Sequence, residues 1–94
     1  MAVYLVTWDL NREKPNYAQA RANFIAHLER YQHTRDQGLD SVRFISTDSS
    51  ADQVSTFLRQ RLGNNDRLFV TRLQTGSHQG WLDQIVWTWF NHRL

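Results

Sequence analysis

Val3-Tyr4-Leu5-Val6-Thr7-Trp8 runs almost without a polar break and ends at Asp9. The stretch is too short for a stable helix, and its β-branched and aromatic side chains suit a pleated surface. It therefore reads as a strand buried on both faces. Alternation puts Tyr4, Val6 and Trp8 on one side and Val3, Leu5 and Thr7 on the other. Both sides are too apolar for open water, so the fold must cover this strand twice.

The segment Asp9-Leu10-Asn11-Arg12-Glu13-Lys14-Pro15 follows as a loop, because Pro15 disfavours helix at Lys14 and lacks a ladder donor. Asn16, with Gln19 three residues on, has the pattern of a capping box. Tyr17, Ala20, Phe24, Leu28 and Tyr31 recur at helical spacing, with Ile25 widening the stripe. A helix is expected from Asn16 to Tyr31. Two strands, Tyr31–Arg35 and Ser41–Thr47, flank a turn around Gly38. Ser50-Ala51-Asp52-Gln53 is a second capping box, opening a helix through Leu62 that buries Ala51, Val54, Phe57, Leu58 and Leu62. Gly63 stops it, and Arg67–Leu73 reads as the last strand. From Trp81 to Phe90 the spacing of Leu82, Ile85, Val86 and Trp89 favours a short helix over a strand. Trp87 and Phe90 then fall outside its buried stripe, at a contact with another subunit.

The order β-α-β-β-α-β plus a tail is the split βαβ, ferredoxin-like plan of the α+β class. Its 94 residues make one domain, 1–94, with no room for a second. Two helices cover one face of the sheet. A second copy docked on the other face is the economical cover, because a bare apolar face is a liability.

Composition narrows the function. No stretch approaches the roughly 18 apolar residues of a membrane span. Met1-Ala2-Val3-Tyr4 lacks a basic leader, and the absence of cysteine excludes disulfide scaffolds, zinc–cysteine modules and thiol catalysis. A reducing, cytoplasmic setting is the expectation. Net charge is only 11 − 9 = +2, but ten of the eleven bases are arginine. Guanidinium is a planar fork suited to phosphate and carboxylate. The four histidines, His27, His33, His78 and His92, show no metal-ligand spacing. Gly76-x-x-x-Gly80 lacks the Lys-Ser/Thr of a phosphate loop.

Asp9 is the leading site candidate, because a sheet holds a strand-end carboxylate rigidly. The alternative is an Asx-type turn in which Asp9 bonds the amides of the Asn11–Arg12 loop. Arg12 and Lys14, on that loop, are placed to hold phosphates beside it. Arg21 and Arg30 can form a basic strip on the first helix for a duplex backbone, or pair with Glu29 and other acids.

The phrase Tyr4-Leu5-Val6-Thr7-Trp8-Asp9-Leu10-Asn11, then Pro15 and Tyr17, resembles the opening of SinR-like proteins, relatives of CRISPR-associated protein two. Leu39-Asp40-Ser41, Phe44-Ile45, Ser50-Ala51-Asp52-Gln53-Val54 and Asn65-Asp66-Arg67-Leu68-Phe69-Val70 are similar to the same family in the same order, as is the Trp-rich end. Trp8 stands where the family usually carries Tyr. The resemblance implies a ferredoxin-like homodimer in which Asp9, at the matching position, meets its symmetry mate. The pair would hold Mg2+ or Mn2+ for cleavage of RNA or DNA, as an endoribonuclease or endodeoxyribonuclease. Other members are non-catalytic DNA scaffolds. A dimeric scaffold on the same fold is the alternative, and a toxin-like regulatory dimer a third.

Overall fold

Alternating apolar residues build a four-stranded antiparallel sheet, seen in a computed structural model that describes residues 1–94. The strands are β1 (Ala2–Asp9), β2 (Gln32–Thr34), β3 (Val42–Thr47) and β4 (Arg67–Arg72), in the spatial order β2-β3-β1-β4. Helices α1 (Tyr17–Leu28) and α2 (Ala51–Arg59) form the two crossovers, and α3 (Gln84–Asn91) ends the chain. This is the ferredoxin-like βαββαβ arrangement with one added helix. None of its helices is long and apolar enough to cross a membrane.

β1 is a central strand, paired with β3 on one side and β4 on the other. Its alternation divides the core. Tyr4, Val6, Trp8 and Ile45 pack under Phe24 and Leu28 of α1 and Val54 and Leu58 of α2. Val3 and Phe44 look the other way and meet Val86 and Phe90 of α3. The chain therefore supplies part of the second cover itself, through its tail. The tail's stripe is also displaced. Phe90 is buried with its ring edge-on to Phe44 at 4.9 Å, whereas Ile85 is 70% exposed. The helix starts only at Gln84, so its sheet-facing line is centred on Val86 and Phe90 rather than on Ile85 and Val86.

The two expected capping boxes fare differently. At α2 the Ser50 hydroxyl accepts the Gln53 amide at 3.1 Å, and the Gln53 side chain accepts the Ser50 amide at 2.8 Å. At α1, Asn16 sits at φ −113°, ψ 37° and caps nothing, while Gln19 donates to Asn23 instead. Asn16 belongs to a turn in which the Tyr17 amide reaches the Lys14 carbonyl, so its backbone is not in the extended form a cap requires. Ser50→Ala is therefore expected to lower stability by about 1 kcal/mol, and Asn16→Ala to change it by less than about half of that, by urea denaturation. α1 also stops at Leu28 rather than Tyr31, because Arg30 and Tyr31 bond back to His27 and Leu28 in tight turns.

Arg43 is buried on the side of the sheet that faces α1 and α2. Its guanidinium lies over the Trp8 ring at 5.5 Å, and its Nε donates to Glu29 at 3.2 Å. Burial lowers its pKa, and Glu29 works against that shift.

Candidate functional site

β1 delivers Asp9 to one end of the sheet, beside the β2–β3 turn. The Trp8 amide and the Thr7 hydroxyl both donate to the Ser41 carbonyl, at 3.3 and 2.8 Å, which fixes this end of the strand. Asp9 shares the α3 side of the sheet with Thr7, Leu5 and Val3, and it is exposed. Its cross-strand neighbour is Arg67, and that of Thr7 is Phe69, 61% exposed. None of the ion pairs or side-chain hydrogen bonds of the chain involves the Asp9 carboxylate.

The turn role that Asp9 was a candidate for belongs to another carboxylate. Asp66 Oδ1 accepts the Asn11 amide at 2.8 Å. Its Oδ2 accepts the Gly63 amide and the Lys14 ammonium, each at 2.7 Å. Asn11 caps its own turn by accepting the Glu13 amide. The Asp66 side chain has no exposed area. Burial raises its pKa, but the hydrogen bond from Lys14, the two amides and the Lys14 charge outweigh that, and the net direction is downward. Asp66 thus ties the β1–α1 loop to the α2–β4 loop. Asp9 is left free.

Lys14 is correspondingly not a free phosphate ligand: its ammonium is committed to Asp66. The other cations read from the sequence are dispersed. Arg12 is exposed with its guanidinium over Tyr17 at 5.8 Å. Arg21 donates to the Asp40 carbonyl at 2.9 Å, and Arg30 lies over Phe57 at 5.4 Å. Their guanidinium groups rest on three different parts of the chain. Arg59 and Arg67, which the sequence reading passed over, are exposed beside Asp66. The only signal for them was the density of Arg59, Arg61 and Arg67 around the Gly63 turn.

Each histidine has a backbone carbonyl partner. Buried His27 stacks on Phe57 with centroids 3.8 Å apart and donates from Nε2 to the Phe57 carbonyl at 2.8 Å. His33, His78 and His92 each place Nδ1 on a nearby carbonyl.

No family model matches the chain, and no curated protein matches it. The site must be judged on its own chemistry. No three acids or histidines converge within one chain. A Mg2+ ion wants about six oxygen ligands, typically from one or two carboxylates with waters and phosphate. A lone Asp9 provides one carboxylate; a pair across a twofold axis suits that donor set.

Proposed function

We propose that the chain works as a homodimer on nucleic acid, with Asp9 as its functional carboxylate, along the lines of the CRISPR-associated protein two family it resembles. One observation carries this: Asp66 performs the structural task at this end of the sheet, yet a second acid, Asp9, is held rigidly, exposed and unpaired beside it. The corner of the sheet around Asp9 and Phe69 lies outside the core that α3 makes with Val3 and Phe44. A second copy docked there buries Phe69 and brings two Asp9 carboxylates together.

In that dimer the two Asp9 side chains are the residues that hold Mg2+ or Mn2+. The ion, when bound, polarises a phosphoryl oxygen of RNA or DNA and favours phosphodiester hydrolysis. Arg67, cross-strand from Asp9, moderates the repulsion between the paired acids and orients a phosphate.

Cleavage of RNA and DNA oligonucleotides with Mg2+ or Mn2+ tests the reading. Asp9→Ala is expected to lower the rate at least 100-fold while leaving the melting temperature within a degree or two, because the side chain has no partner to lose. Equal cleavage by both proteins excludes the Asp9 mechanism. The second reading, a dimeric scaffold without catalysis, is favoured by the lack of any group of three acids or histidines that could hold a metal within one chain. It predicts nucleic-acid binding with no metal-dependent cleavage by either protein.

A further inference from the structure

Between α2 and the start of β4 the surface is cut by an open groove of about 460 Å³. Its polar lining includes Ser55, Thr56, Arg59, Asn64 and Arg67. Leu62 and Leu68 are its only apolar side chains, and no aromatic ring lines it. The one acid in the lining, Asp66, has its carboxylate covered and paired with Lys14 at 2.7 Å. That pair is neutral as a unit, so the groove lining itself holds no free acid to offset Arg59 and Arg67. Neither enters an ion pair within the chain, and Arg67 only spans to the Asp66 carbonyl at 3.2 Å. The carbonyls at the end of α2 are also answered internally. Phe57, Leu58 and Arg59 accept the amides of Gln60, Arg61 and Leu62. The negative end of that helix is thereby blunted next to the groove.

We infer that this groove takes the phosphodiester backbone of a nucleic acid, with Arg59 and Arg67 gripping phosphates and Ser55, Thr56 and Asn64 adding neutral hydrogen bonds. The inference rests on the nucleic-acid reading above and says where the backbone lies. Two free guanidinium groups in an open channel suit a chain of phosphates. The lack of an aromatic platform leaves nothing to stack a base, so recognition is of backbone and not of sequence. Arg67 is also the cross-strand neighbour of Asp9, their backbones one strand spacing, about 4.8 Å, apart.

Fluorescence anisotropy with labelled single-stranded and duplex oligonucleotides, titrated between 50 and 200 mM salt, tests the assignment. The wild type, an Arg59→Ala/Arg67→Ala double variant and an Arg35→Ala/Arg72→Ala control are compared. All four side chains are exposed, and thermal melts confirm that each variant is folded. Removing two phosphate contacts is expected to reduce the slope of log affinity against log salt by about 2, with at least a tenfold loss of affinity in 100 mM salt. The control should keep the wild-type slope within about 0.5. Restoring charge with Arg59→Lys/Arg67→Lys should recover most of the slope. If the groove variant binds like the wild type while the control loses affinity, the groove assignment is wrong and the nucleic-acid reading survives. If the wild type binds no oligonucleotide at 50 mM salt, both fall. Inorganic phosphate that competes at the oligonucleotide's own concentration overturns the polyanion assignment in favour of a small-anion site.

Discussion

Phe90→Ala is expected to lower the stability of the chain by about 3–5 kcal/mol, the usual loss for truncating a buried phenylalanine. Phe90 is 3% exposed. Its ring meets Phe44 edge-on at 4.9 Å, Trp87 at 5.6 Å and His78 at 5.5 Å. Truncation leaves a cavity between α3 and the sheet that these rings cannot readily fill. A domain of this size has only about 5–15 kcal/mol in hand, so the change consumes a large share of it. Ile85→Ala, five residues earlier on the same helix, is the internal comparison. Its side chain is largely in water, and the expected change is below about 0.5 kcal/mol. Urea denaturation reads both. A Phe90→Ala loss under 1 kcal/mol would mean that the tail does not rest on its own sheet in solution.

The second large effect belongs to Asp66. Asp66→Ala leaves a Lys14 ammonium and two backbone amides, of Asn11 and Gly63, without an acceptor. Removing one partner from a fully buried pair typically costs about 3–5 kcal/mol; Lys14 is 23% exposed and water can reach it, so the loss should be about 2–3 kcal/mol. Asp66→Asn keeps an acceptor oxygen but loses the charge, and its loss should be roughly half as large. The pH dependence follows in sign. The folded pKa of Asp66 lies below the ordinary value of 3.8, so the folded state favours the ionised form. Its contribution is complete above that ordinary value and disappears as pH falls through the folded one. Melting temperatures between pH 6 and pH 2.5 should therefore drop more steeply for the wild type than for Asp66→Asn. Parallel curves would show that the Asp66 charge contributes nothing.

The order of elements was legible because each buried element carries a pattern strong enough to survive without its neighbours. β1 is apolar on both faces, and the Ser50–Gln53 box is a purely local device that closes as its spacing requires. Asn16 has the same local signature, yet the turn anchored by Lys14 and Asp66 sets its backbone against capping. That is a contact across 52 residues, invisible to any window. The tail failed for a related reason. Its residues are apolar almost all round, so periodicity could not choose between Ile85 and Phe90; the position of Phe44 chose.

The site shows the same division. Asp9 was readable as the acid at the end of the first strand. That it is free depends on Asp66 doing the loop-tying work, which no spacing reveals. Lys14, Arg21 and Arg30 were reasonable phosphate ligands by charge and position alone. The tertiary partners that spacing does not show are Asp66 for Lys14, a carbonyl for Arg21 and a ring for Arg30. Arg59 and Arg67 emerged only because the fold sets α2 beside β4.

The chain has no cysteine, so Asp9→Cys introduces a single thiol at the proposed centre. A nitroxide attached there reports the distance to its symmetry mate by electron paramagnetic resonance at micromolar protein. Strong dipolar broadening, abolished by dilution with unlabelled protein, is the result expected of two chains facing each other at this corner of the sheet. The sharp spectrum of isolated labels, together with a monomer mass in sedimentation, would contradict the paired-acid account.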